Sequence, residues 1–458
     1  MTDPPEQRRV PIAAATVATP SLDELVELLP LLLDDPGEVF SRLVERHGPL
    51  VRIAATGIPI HVVIVNQPDL VREVLVDAEH VFTKGRSLQT ARVLLGDGLL
   101  TSEGDEHDRR RRMIAPVFHR PRLAVTAVQM ASIAREHVGS WPVGAPVDVH
   151  SRLGALTLDI VGHTLFGLDL SRQAPTVRDA LDVLLAQFAT RSPLGQLFGE
   201  QPDAAADTAL ANALTQLHTL VDALVEERRA TPTDRSDLLS MLVAARDDGD
   251  GSELSDQEVR DEVMTLLLAG HETTANALAW TAHLLSRHPA EADRAAAEVS
   301  RVLGDRPATA AHVDELTVTK AVLDEALRLY PPAWAFTREA TVDTTISAEG
   351  GRVDIPAGAQ VMVAPWLMHR DPRFWDDPAA FRPARWAEEG SRHRFTFFPF
   401  GGGGRSCIGE HFARLESMIV LSELLRELRI EPLADCVERD HSITLRPRGG
   451  LVVRLTRR

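Results

Sequence analysis

Among 458 residues there are only two cysteines, Cys407 and Cys436. They form no C-x-x-C pair and no disulfide framework, which favours a reducing, cytoplasmic compartment. Long apolar runs are missing too. The early stretch LDELVELLPLLLDDP is apolar on one side and broken by acids and Pro30, well short of the roughly 20 apolar residues of a membrane span. Surface association of that stretch is the minor alternative. The first twenty residues, MTDPPEQRRVPIAAATVATP, lack a signal-peptide core and read as a flexible tail over 1–20. Positive charge is in deficit, with 49 Lys and Arg against 66 Asp and Glu and a net charge of −17; nucleic-acid phosphates would be repelled. No dinucleotide-binding G-x-G-x-x-G stands in a βαβ context, and no ferredoxin cysteine cluster is present.

Apolar residues make up 44% of the chain, ample for a large core. Length alone suggests two or three domains, but no repeat or long linker divides residues 21–458. LVRIAA (50–55) and PIHVVIVN (59–66) read as a hairpin around a Gly-containing turn. Residues from about 69 to 330 are mostly helical in pattern, with breaks near Pro142, Pro146, Pro193, Pro202 and Pro232. Strands return at AFTREA (335–340), GRVDIPAG (351–358) and QVMVAP (360–365), and a helix is expected from Ile408 to Leu428. The fold class is mainly α, a single large domain with a small segregated β-sheet region.

One helix stands out. Ser255 and Glu258 form a capping box, and the pattern continues to the residue before Pro289. That is about 33 residues, or roughly 50 Å. Its middle, MTLLLAG, is apolar nearly all round, which predicts burial on several sides. At its centre lies AGHETT (269–274). Gly270 and Thr273 share a face. Gly270 permits a close approach to the backbone, and Glu272 and Thr273 set an acid and an alcohol beside that point.

The strongest signal is FPFGGGGRSCIGEHFARLE (398–416), in which four glycines precede Cys407 and Gly409 follows it. Glycines permit unusual backbone conformations and the approach of a flat ligand. Backbone N–H groups of such a loop, and the dipole of the following helix, stabilise a thiolate. A lone cysteine is most often a small inert hydrophobe. The spaced pattern F-x-x-G-x-R-x-C-x-G from Phe400 to Gly409 is too specific for that reading. A phosphate-binding loop is disfavoured because no Lys-Ser/Thr pair follows.

These residues resemble a cytochrome P-450, a haem-thiolate monooxygenase of the soluble bacterial type. The likeness covers nearly the whole chain after the first twenty residues and rests on four motifs in the family's order. It implies that Cys407 is the axial ligand of a haem b iron, its thiolate favouring O–O cleavage. It implies a haem site that includes Phe400, Arg405, Gly409 and Gly270, with Arg405 on a propionate. His107 and Arg111 of GDEHDRRRR (104–112) would form a propionate-binding pair, and Arg338 would be a third such cation. Arg111 is expected to face the haem while Arg109, Arg110 and Arg112 are largely exposed. Glu272 and Thr273 would relay protons to the bound oxygen, Gly270 marking where the long I helix passes the distal face of the haem; alone, Thr273 reads as a back-bonded helix threonine. Glu325 and Arg328 of EALR, with Arg385 of FRPARW, match a structural triad. The family often has an acid where this chain has Ala384, which leaves a local salt bridge there open.

The resemblance also implies O₂ as co-substrate, with NAD(P)H electrons from a separate ferredoxin and ferredoxin reductase, since neither is fused here. Arg109–Arg112, Arg405, His411 and Arg414 would form a basic docking face. The pocket for a small lipophilic substrate, terpene-like or another secondary metabolite, would draw on Leu94, Leu99, Leu267, Trp334 and Phe336, each of which also suits ordinary core. Further walls would come from the helix pair spanning about 173–230. A monomer is expected. Three rivals remain: a haem-thiolate peroxygenase, isomerase or dehydratase that does not use O₂; a non-catalytic haem carrier or gas sensor; and an added cyclase activity through Asp34-Asp35, Asp247-Asp248 or Asp376-Asp377. Each acidic pair lies beside Pro or Gly, as turns do.

Overall fold

β-Branched runs near residues 50–65 and 336–363 pair into one five-stranded sheet. Its spatial order is Leu50–Ala54, His61–Val65, Gln360–Val363, Phe336–Ala340 and Phe82–Lys84. Neighbours are antiparallel except His61–Val65 with Gln360–Val363, where Val63 lies opposite Val361 in a parallel pair. Leu50, Val63, Val65, Val361 and Val363 from these strands are buried in one cluster with Phe395 and Phe398. The computed structural model describes residues 17–54, 61–168, 174–191, 204–230, 237–247, 251–348, 351–388 and 392–458. The expected hairpin turn, most of the N-terminal tail and the breaks at Pro193, Pro202 and Pro232 lie outside them.

Two compact units each take two separated stretches of chain. One runs up to Gly85 and from Leu327 to Cys407; the other comprises Arg86–Ala326 and Ile408–Arg458. The first unit holds the five-stranded sheet and the hairpin Thr344–Ala348 with Gly351–Ile355. The second is mostly helical, with a three-stranded sheet (Pro146–Asp148, Val452–Arg457, Leu428–Pro432) and a hairpin of Arg439–His441 with Leu445–Pro447. The strands Phe82–Lys84 and Thr344–Ala348, and those of the second unit, are not among the expected ones. Three-residue strands carry too little period-2 pattern to be read, and the later ones follow a helix without a strong break.

The long helix runs Asp256–Arg287, 32 residues, and Ser255 and Glu258 complete the expected capping box. Val259, Asp261–Leu267 and Thr274–Ser286 are buried. Helix Val149–Phe166 packs along it, and the Thr157 hydroxyl donates to the His271 carbonyl at 3.0 Å. Farther on, Trp280 Nε1 donates to the Leu445 carbonyl at 3.1 Å, which fastens the second unit's hairpin to the helix. Among the described residues no helix is long and apolar enough to cross a membrane.

His283 lies about one turn beyond Trp280 on the long helix and sits edge-on to it, with ring centroids 5.8 Å apart. Burial, aided by Arg287 and His288, pushes its pKa down to about 4 from 6.5. Between those values the unfolded chain binds the proton and the folded chain does not, so stability falls as pH drops from 6.5 to 4. The loss from this group is on the order of 2–3 kcal/mol once pH is below both values. His283→Leu should flatten the acid limb of a urea-unfolding series across that window; an unchanged slope would remove His283 from the account.

Candidate functional site: a cysteine loop and a half-open helix

In the first unit, the cysteine loop is held by close backbone packing. Gly403 has φ +72°, and a Cβ there would lie 1.8 Å from the Leu75 carbonyl oxygen; one on Gly402 would lie 2.6 Å from the Phe395 ring. Those glycines are therefore required by the loop's own seat. Of the two roles expected of the glycines, this is the conformational one. The Gly404 N–H donates to Glu79 at 2.8 Å. The Cys407 N–H donates to the Phe400 carbonyl at 2.9 Å and closes the loop. Cys407 is exposed and forms no disulfide. Gly409 follows, in the position before helix Glu410–Glu427, which begins two residues later than expected.

Behind the loop lie two arginines that a surface reading would have discounted. Arg328 and Arg385 are both essentially fully buried, as is Glu325 one turn before Arg328. Arg328 donates to the carbonyls of His369, Pro378 and Ala380 at 2.7–3.0 Å. Arg385 reaches the carbonyls of Asp376, Asp377 and Ala380. The two guanidiniums thus share Ala380 and knit the backbone around Trp375, over which both lie. Arg338 is buried on its strand. Phe336 packs beside Phe398, and Trp334 stacks on Phe40; both rings are half-buried.

In the second unit, helix Gly104–Ile114 carries His107 buried and Arg111 half-buried four residues on. The rest of the basic run corrects the expectation of broad exposure. Arg110 is 4% exposed and meets Glu262 at 3.1 Å, with Glu106 alongside. Arg109 meets Glu258 at 2.8 Å. Only Arg112 is largely exposed, and it shares Asp247 with Arg109. Arg414 is held between Asp324 and Glu410. The acids that give the chain its negative balance have taken up most of the proposed docking cations, and charge reversal at Arg109 would break an internal ion pair before it reported on any partner. Asp247, bound to two arginines, is likewise no free member of an acidic metal pair, and no cluster of metal-ligating side chains occurs among the described residues.

The same carboxylates hold the loop that carries Leu99. Asp261 accepts the Asp97 N–H and Glu262 accepts the Leu99 N–H, each at 3.0 Å. Leu94, Leu99 and Leu267 are buried. The described part of the 173–230 helix pair consists of Ala174–Arg191 and Ala204–Ala230.

At its centre the long helix opens. Leu268, Ala269, Gly270, Glu272 and Thr273 are half-buried between fully buried flanks. A Cβ on Gly270 would sit 3.3 Å from Val161, so part of the glycine's role is helix packing. Thr273 donates its hydroxyl to the Ala269 carbonyl at 2.8 Å, and Thr274 to Gly270 at 3.2 Å. With Thr157 on His271, three successive carbonyls each take a side-chain hydroxyl, the pattern that loosens a helix locally. His271 is buried and neutral, its pKa pushed down by desolvation. Glu272 Oε1 accepts from the Thr444 hydroxyl at 2.8 Å, with Arg446 3.9 Å away.

Comparison with known proteins decides the family. The sequence profile described as Cytochrome P450 matches residues 22–453. Cyclooctatin synthase of Streptomyces melanosporofaciens is 38% identical, over 84% of each chain. Pentalenene oxygenase of Streptomyces avermitilis is 34% identical, over 86% of this chain and 88% of its own. The crystal structure of the cytochrome P450DA heme domain superposes with TM-score 0.85 at 30% identity, covering 97% of this chain and 98% of that one.

The chain belongs to the cytochrome P450 family.

It is an oxidoreductase of the monooxygenase type, and membership implies haem and the use of O₂. The residues present fit the cofactor. Within the first unit Cys407 is exposed at the end of a closely packed glycine loop, and within the second the half-buried stretch of the long helix carries Gly270, Glu272 and Thr273.

Sequence reasoning missed His369. Its Nε2 accepts the Phe398 N–H at 2.9 Å, at the very start of the P450 cysteine loop. An N–H only donates, so Nε2 carries the lone pair; burial, with Arg328 and Arg370 nearby, keeps the ring neutral by pushing its pKa well below 6.5. Glu416 is also fully buried, and desolvation pushes its carboxyl well above the usual carboxylate range. The role of His369 has no signal in sequence, because burial and packing create it. His369→Phe should cost about 1–3 kcal/mol through the orphaned Phe398 N–H, measured by denaturant unfolding; a loss under about 0.5 kcal/mol would mean that the loop finds another acceptor.

Proposed function

We propose that this P450 hydroxylates or epoxidises a small lipophilic, terpene-like substrate, using O₂ and electrons from NAD(P)H passed through a separate ferredoxin reductase and ferredoxin. The exposed Cys407 thiol on a closely packed glycine loop carries this reading. Cys407 would ligate haem b, with His107, Arg111, Arg338 and Arg405 as the propionate-binding residues that the family motifs imply, and Phe400, Gly409 and Gly270 as further contacts. Bound haem supplies the O₂ activation that no side chain provides.

The chain's own part is proton handling and substrate enclosure. Thr273 commits its hydroxyl proton to Ala269, so its lone pairs are what it presents, as an acceptor for a protonated partner. Glu272 stands one residue earlier as an ionisable acid. The pair suits ordered proton transfer and favours oxygenation over a peroxide-only or isomerase reading. Leu94, Leu99 and Leu267, together with Trp334 and Phe336, supply apolar surface for the substrate. The relative pentalenene oxygenase supports a lipophilic substrate, since its name gives pentalenene as the compound acted upon.

Two outcomes test this reading. Reduced protein under carbon monoxide should show the red-shifted absorption of a thiolate-ligated haem, and Cys407→Ala should abolish it; an unchanged band in the variant would sink the assignment. A panel of lipophilic compounds, pentalenene among them, should yield binders that displace the distal water and shift the haem from low to high spin. With such a compound, Thr273→Ala should divert most NADPH consumption into peroxide, whereas fully coupled turnover would remove Thr273 from the relay.

A further inference from the structure

Glu272, Asn276 and Trp280 are spaced i, i+4, i+8 on the long helix, and all three engage the turn of the Arg439–Pro447 hairpin. Thr444 lies at the end of that turn and is 6% exposed. Asn276, fully buried, donates from Nδ2 to Thr444 Oγ1 at 3.1 Å, and its Oδ1 meets His150 Nε2 at 2.7 Å.

The polarity of this chain is forced. An amide NH₂ only donates, so Thr444 Oγ1 is the acceptor from Asn276. The single Thr444 proton is then left for Glu272 Oε1, 2.8 Å away. Asn276 Oδ1 only accepts, so His150 Nε2 carries its ring proton. Donation therefore runs His150 to Asn276 to Thr444 to Glu272 and ends on one named carboxylate oxygen. An amide in the middle makes this a poor proton wire. It makes a good brace: each member fixes the next, and only Oε1 is tied down. The contact joins two half-exposed ends, His150 and Glu272, through two buried groups.

From this we infer that Thr444, oriented by Asn276 and His150, is a positioning residue for Glu272, anchoring Oε1 at the hairpin and leaving Oε2 to hand on the proton. The inference rests on the relay reading above. Thr444→Val removes the donor and keeps the shape, and Thr444→Ser keeps the donor.

Infrared difference spectra of the resting holoprotein, wild type minus Glu272→Gln, isolate the Glu272 carboxylate band. Thr444→Val should move that band, and Thr444→Ser should leave it in place. NADPH-driven O₂ consumption, with a plant-type ferredoxin and its reductase and no added substrate, should slow about tenfold in Thr444→Val, the weight of one charge-assisted hydrogen bond. Its solvent deuterium isotope effect should rise, and Thr444→Ser should restore both. A band unmoved in Thr444→Val overturns the proposal. So does a moved band with wild-type rate and isotope effect while Glu272→Gln is slowed, an outcome that leaves the relay reading standing. If Glu272→Gln itself behaves as wild type, the relay reading fails and the positioning role falls with it.

Discussion

The close approach of Gly403 to the Leu75 carbonyl is the constraint on which the rest depends. A closely packed backbone sets the position from which a cysteine thiol is presented. A Cβ at Gly403 would run into the Leu75 carbonyl and one at Gly402 into the Phe395 ring, so the loop packs tightly on the first unit's core and Cys407 remains exposed. The arginines and His369 then fix what the loop rests on. Arg328 and Arg385 satisfy backbone carbonyls that would otherwise be buried without donors, and His369 satisfies an N–H. Buried charge is tolerable here because each guanidinium spreads over several acceptors and an aromatic face.

The long helix solves a different problem. A helix buried along most of its length normally commits every backbone group to its own ladder. Here three successive carbonyls also accept hydroxyls from Thr157, Thr273 and Thr274, at the place where burial relaxes. The same stretch presents Gly270, Glu272 and Thr273. The residues proposed for proton handling thus lie where three carbonyls carry an extra hydrogen bond and burial relaxes, while the helix itself is continuous from Asp256 to Arg287.

Electrostatics were the hardest part to read in advance. The basic run at Arg109–Arg112 looks like a solvated patch in one dimension. In three, Arg109 and Arg110 meet Glu258 and Glu262, and those carboxylates do double duty by capping a helix and holding the Leu99 loop. An acidic chain has carboxylates to spare, and a buried arginine will take one in preference to remaining uncompensated.

Much was legible from sequence alone. The Ser255–Glu258 cap, the length of the long helix, the main strands of the sheet and the spacing around Cys407 are local patterns, and local patterns encode the conformation and chemistry of their own segment. What only the tertiary structure decided was partnership: that Gly403 abuts Leu75, that Arg110 is buried on Glu262, that His369 holds Phe398, and that Thr444 meets Glu272 from 172 residues away. Which donor meets which acceptor depends on packing and desolvation in space, and no spacing along the chain carries that information.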